Sequence, residues 1–265
     1  MNTKHIWTIV DKEWAEVFKN KMVMSTIIFL PMIFTALPLV MLAVSHVPGV
    51  ENYDTSEVPA MFSQMCTAGT SGNDCMLIYL VSEFLMFYMM MPLIIPIAIA
   101  AYSIVGEKTT RSLEPLLATP ITTSDLMIGK ILSAAIPAIG ATWLSYLLFI
   151  LLVPVTGAGA AVQTYVTGAT WLIAVFLIGP AMSVLAVNFS VIVSSRVSDP
   201  RVAEQTSAVL IVPVMLLIFG QLAGIIIIGV WTMLISLAVI ILLDIGSIYF
   251  GTRLFQREVI LTRWK

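Results

Sequence analysis

Residues 24–46 hold no Asp, Glu, Lys or Arg, and five further runs of similar length follow at 80–105, 128–153, 170–193, 206–223 and 225–251. Their only charges are Glu83, Lys130 and Asp244. About 20 apolar residues in helical form cross the hydrocarbon of a bilayer. A lipid-exposed backbone must also satisfy its own hydrogen bonds, which a helix does within one segment. The composition agrees: 59% of the 265 residues are hydrophobic and 11% charged, where a soluble domain has about 45–50% and about 25%. The pattern predicts an all-α integral membrane protein of six spans. Short connections leave no room for a sizeable soluble domain, so chemistry that needs one must come from another chain.

The basic residues orient the spans. All 13 fall in four segments: Lys4, Lys12, Lys19 and Lys21; Lys108, Arg111 and Lys130; Arg196 and Arg201; and Arg253, Arg257, Arg263 and Lys265. With six spans these segments share one side, and the three opposite loops have no Lys or Arg at all. By the positive-inside bias that side is the cytoplasm, and both termini lie there. Cys66 and Cys75 then fall in the first external loop, nine positions apart. An oxidising exterior favours pairing them; two free thiols are the alternative.

Ahead of the first span, residues 1–23 place Ile6, Ile9, Val10, Trp14, Val17 and Phe18 mostly on one helical face, with Lys4, Asp11, Lys12, Glu13, Glu16 and Lys19 elsewhere. This predicts an amphipathic helix lying in the membrane interface. The first apolar run is too long for the core of a cleavable signal and reads as an anchor. Residues 252–265 form a cytoplasmic tail.

The longest polar interruption after the second span is GEKTTRSLEPLLATPITTSDLMIGK, residues 106–130. Gly106 lets the second span end. Ser112 is placed to cap a short helix in which Pro115 stands within the first turn. Leu116 and Leu117 give that helix an apolar side, and Pro120 stops it. Thr122 to Asp125 supply cap chemistry for the third span, with Asp125 at its positive end. The product is a rigid apolar knob between charged ends, suited either to docking in a soluble partner or simply to reversing the chain.

These residues also carry a resemblance. Gly106-Glu107-Lys108, then Arg111-Ser112-Leu113-Glu114, Leu116-Leu117-Ala118-Thr119-Pro120 and Gly129-Lys130 resemble the signature of type-2 ABC exporter permeases. The six-span plan, the amphipathic start and Phe255-Gln256-Arg257-Glu258 are similar too. The resemblance implies a homodimer or heterodimer of permease subunits in the plasma membrane of a prokaryote. It also implies two separate ATPase subunits that bind ATP and Mg. In that family the segment corresponding to residues 107–120 is the coupling helix that meets the ATPase. Glu107, Arg111, Leu113, Glu114, Leu116 and Leu117 are its implied contacts.

No G-x-x-x-x-G-K-[ST] occurs, so the chain itself has no evident cradle for ATP phosphates and is expected to be a permease, not an enzyme. His5 and His46 are far apart, and no metal-ligand cluster, nucleophile pair or nucleic-acid surface emerges. Ser198-Asp199-Pro200 reads as a cap followed by proline at the first helical position. Arg196 and Arg201 beside it face either a partner or solvent and lipid headgroups. Within the membrane, Asp244 and Glu83 are candidate polar sites, and a stand-alone ion-coupled transporter using one of them is the second functional reading. Met86, Met89, Met90 and Met91, with aromatic neighbours, are suited either to varied apolar ligands or to packing. Gly220-x-x-x-Gly224 reads as a close-packing motif or as a turn.

Overall fold

The computed structural model describes residues 3–45, 72–109 and 122–254, and every element among them is helical. Helix α1 spans Thr3–Val17, and α2 spans Lys21–Val44 behind Asn20, whose side chain accepts a hydrogen bond from the Met22 N–H. Helices α3 (Gly72–Tyr88) and α4 (Met91–Thr109) together make the second span. They meet in a turn at Met89–Met90. Pro92 has no N–H to reach the Tyr88 carbonyl, so the ladder stops there and restarts with proline in its first turn.

The third span is α5, Thr123–Leu152, capped by Thr122, whose Oγ1 accepts from the Asp125 N–H at 3.1 Å. The expected loop after it is itself largely helical: a 3-10 turn, Val153–Thr156, then α6, Ala160–Val166. The fourth span continues through α7 (Ala169–Ile173), a π turn (Ala174–Ile178) and α8 (Gly179–Ser194). The π turn lies directly before Pro180, where an ordinary helical bond to the Phe176 carbonyl has no donor. Trp143 of α5 donates its indole N–H to the Val175 carbonyl at 3.1 Å, supplying a partner where the ladder is irregular.

Helix α9 (Pro200–Ser207) leads through a 3-10 turn, Ala208–Leu210, into α10 (Ile211–Leu222), and α11 covers Val230–Leu254. Gly224 ends α10 at φ 67°, and the N–H groups of Ile225 and Ile226 both donate to the Gly220 carbonyl. A Cβ on Gly220 would stand 2.6 Å from Ile226 Cδ1. The Gly220–Gly224 pair is therefore a helix stop, with glycine needed for the left-handed cap and for the returning chain.

Six helical stretches among the described residues are long and apolar enough to cross a membrane: α2, α3–α4, α5, α6–α8, α9–α10 and α11. The second is buried along most of its length, packed by α2, α5 and α8, while α2 and α11 expose broad apolar faces. A helix apolar on every side belongs at the centre of a membrane bundle. Against the expectation that Gly106 ends the second span, α4 runs on to Thr109. A glycine costs a helix about 1 kcal/mol, too little to stop one anchored beyond it by Glu107.

Ala203 of α9 packs on Ala101 and Val105 of α4, and Gly251 of α11 lies against Met127 of α5. With α1 docked on α4 and α5, the described flanks of all four basic segments gather at one end of the bundle.

Candidate functional site: an ion network joining three helices

The docked face of α1 consists of Ile6, Ile9, Val10, Glu13 and Val17, a helical stripe. Glu13 thus belongs to the apolar face, contrary to its expected place among the polar residues, and Phe18 is exposed on a flank. Contact with α5 is close: a Cβ on Gly129 would lie 2.8 Å from Ile9 Cγ2 and 2.9 Å from Ile9 Cβ. Trp14 fastens the same junction by donating its indole N–H to the Ser133 carbonyl at 2.9 Å.

One residue after Gly129, Lys130 enters the interface with 4% of its side chain exposed. Its Nζ lies 3.0 Å from Glu13 Oε1, 2.7 Å from Glu107 Oε2 and 2.9 Å from Ser103 Oγ. The ammonium, with three donors, hydrogen-bonds to Glu13 and Ser103 and forms an ion pair with Glu107. Ser103 donates its own hydroxyl to Glu13 Oε2. Lys12 reaches the other oxygen of Glu107 at 2.5 Å and approaches Glu16 at 3.7 Å.

Two ammonium groups and two carboxylates therefore form a balanced, mostly dehydrated core. Removing an ion from water costs several kcal/mol, and a close, fully bonded counter-charge is what offsets it. At Lys12 burial pushes the pKa down, but the hydrogen bond and charge of Glu107, with the charge of Glu13, hold it above the ordinary 10.5. Glu107 and Lys130 stand on the two helices that flank residues 110–121 in the sequence, so α4 and α5 are tied to each other and to α1.

Glu107 was expected on a docking surface, but its carboxylate is turned inward and its side chain is only 4% exposed. Its two oxygens face Lys12 and Lys130. Arg111, Leu113, Glu114, Leu116 and Leu117 lie outside the described residues, as does Cys66. Cys75, buried in the first turn of α3, is disulfide-bonded. Arg196 and Arg201 are exposed, and Asp199 caps α9 by accepting from the Arg201 N–H at 2.8 Å.

The two intramembrane acids are buried on different helices. Glu83 sits on α3 beside Ser82, whose Oγ accepts from Gln221 Nε2 of α10 at 2.6 Å. Asp244 lies on the buried seam of α11 shared with Met233 and Gly251. Among the described residues no group of His, Cys, Asp and Glu is assembled to hold a metal. Sequence reasoning missed Lys12, Glu13, Ser103 and Lys130 as members of the network. The available signal was an acid in register with Ile6, Ile9, Val10 and Val17.

The six apolar helical stretches define a multi-pass membrane protein. A family model described as ABC-2 family transporter protein matches residues 7–249, almost the entire chain. The chain belongs to that family and is a membrane transport subunit, an ABC transporter permease. No curated protein matches it.

Proposed function

We propose that this permease exports its substrate under the drive of a separate ATPase subunit, which grips the segment between the second and third spans. The observation that supports this reading is the bracketing of residues 110–121 by Glu107 and Lys130, joined at 2.7 Å and both bonded to α1. Force applied to either flanking helix would thereby be shared among α4, α5 and α1. Arg111, Leu113, Glu114, Leu116 and Leu117 are the contacts to the ATPase, and Arg196 and Arg201 form a second contact at the same end.

We take that end as cytoplasmic, because all 13 basic residues fall in the four sequence segments whose described flanks lie there. Helix α1 then lies at the cytoplasmic membrane surface, with exposed Trp7 and Phe18 toward the lipid boundary. Cys66 is the partner of Cys75 on the outer side. The working unit contains two permease subunits, identical or related, in a prokaryotic plasma membrane, and ATP and Mg are bound by the ATPase. Purification from native membranes with identification of the bound subunits tests the proposal. A stoichiometric ATPase whose activity is lost on Arg111→Ala or Glu114→Ala supports it, and a clean oligomer that transports without any nucleotide-binding subunit overturns it.

A further inference from the structure

A cavity of about 300 Å³ lies among α3, α4, α8, α10 and α11, at the lower bound of small-ligand pockets, about 300–1,000 Å³. Its inner wall carries Met86, Met89 and Met182, all buried, with Met233 from α11. Methionine side chains adapt to irregular apolar guests. Its rim on α11 is formed by Ile235, Val239 and Leu243, which are exposed on the outer face of a span. The cavity therefore opens sideways, into the level occupied by bilayer hydrocarbon.

The opening has a local cause. Helices α10 and α11 are tied together at one end by the Gly220–Ile226 turn. Away from it, α10 packs chiefly on α3 and α11 chiefly on α8. Pro213, one turn beyond the 3-10 segment Ala208–Leu210, removes a ladder bond at the start of α10 and lines the cavity. The gap between the two helices is thus built by their separate supports.

The chemistry of the lining excludes polar guests. Ser236 is its one hydroxyl-bearing residue, and that hydroxyl already donates to the Thr232 carbonyl at 2.8 Å. A buried water needs two to four polar partners, and a charged group needs a counter-charge; neither is present. A void left dry would forfeit dispersion contacts along its whole wall.

We propose that this cavity is a binding site for the acyl chain of a bilayer lipid, which enters laterally between α10 and α11. The site is separate from the ion network and needs only the membrane-spanning fold, not the ATPase. Reconstitution in phosphatidylcholine vesicles carrying a photoactivatable diazirine within the acyl chain tests it, with adducts mapped by peptide mass spectrometry. Adducts are expected on Met86, Met89 and Met182, which no lipid on the outer surface of the bundle reaches. They should fall several-fold in Val214→Trp and in Ser236→Phe, two independent fillings of the space, while adducts on the exposed Phe29 of α2 persist as evidence of a folded, inserted protein. Adducts confined to exposed residues in the wild-type protein would overturn the proposal. So would efficient disulfide formation between two copies of Val239→Cys together with an unlabelled interior, since the mouth would then be covered by protein.

Discussion

Lys130 Nζ lies 3.0 Å from Glu13 Oε1, although 117 positions separate the two residues in the chain. Both side chains are almost wholly buried, and Glu107 and Ser103 complete the coordination of the ammonium. Lys130→Met removes the buried ammonium and leaves Glu13 and Glu107 to share Lys12, which is partly exposed. Loss of one partner from a buried pair costs about 3–5 kcal/mol, read as a lowered thermal midpoint of the detergent-solubilised protein. Combining it with Glu13→Gln should recover part of the loss. Strict additivity of the two variants would show that the pair is not coupled.

Gly129 supplies the room in which Ile9 sits. Gly129→Ala places a methyl 2.8 Å from Ile9 Cγ2, and overpacking of this kind costs about 1–3 kcal/mol. The expected sign is faster protease cleavage within α1 and altered Trp14 fluorescence as its bond to Ser133 lengthens. Adding Ile9→Ala should reverse part of both effects. An unchanged cleavage rate in Gly129→Ala would mean that α1 does not dock as described.

Lys12 gives the network a pH dependence at the alkaline end. Burial lowers its pKa, but Glu107 and Glu13 together raise it above the ordinary 10.5. A raised folded-state pKa stabilises fully below the unfolded value, and that stability is lost as pH rises through the folded value. The gap in thermal midpoint between wild type and Lys12→Met is therefore expected to stay constant from neutral pH to about 10.5 and to close above it. A gap that closes on acidification instead would contradict the assignment.

If residues 110–121 meet an ATPase as proposed, that segment and the flanking Glu107 should behave differently under mutation. Arg111→Ala and Glu114→Ala are expected to abolish stimulation of the partner ATPase while leaving the thermal midpoint of the permease unchanged. Glu107→Gln should lower both, because its carboxylate bonds to Lys12 and Lys130 inside the protein. Paired measurements of ATPase rate and thermal midpoint separate the two groups. Full coupling in all three variants would dismiss the segment as the contact.

Gly224 holds a left-handed conformation at φ 67°. Gly224→Ala forces a Cβ into that region and is expected to cost about 1–2 kcal/mol. Gly224→Asn should cost less, since asparagine tolerates the region better. Equal thermal midpoints for the two variants would argue against strain at the turn.

The spans were legible because each is a long local signal. Residues 24–46 and 206–223 carry no charge to compete with the membrane reading, and caps such as Thr122 and Asp199 act on a neighbour within a few positions. The helical content of the connection after α5 was not legible. Residues 157–159, Gly-Ala-Gly, look like a loop until α6 is seen packed on α3. Glu107 was picked out through the motif around it, but the motif pointed it outward.

What the sequence determined by itself was membrane residence, six apolar helical stretches and the grouping of the basic residues into four segments, because hydropathy and charge act span by span. Only the tertiary structure decided that Lys12, Glu13, Ser103, Glu107 and Lys130 form one network. It alone opened a lateral cavity where α10 and α11 lean on different neighbours. Both depend on which faces of separate helices meet. A buried charge is tolerable only opposite its partner, and that partner is specified by packing between distant segments, not by the residues on either side of it.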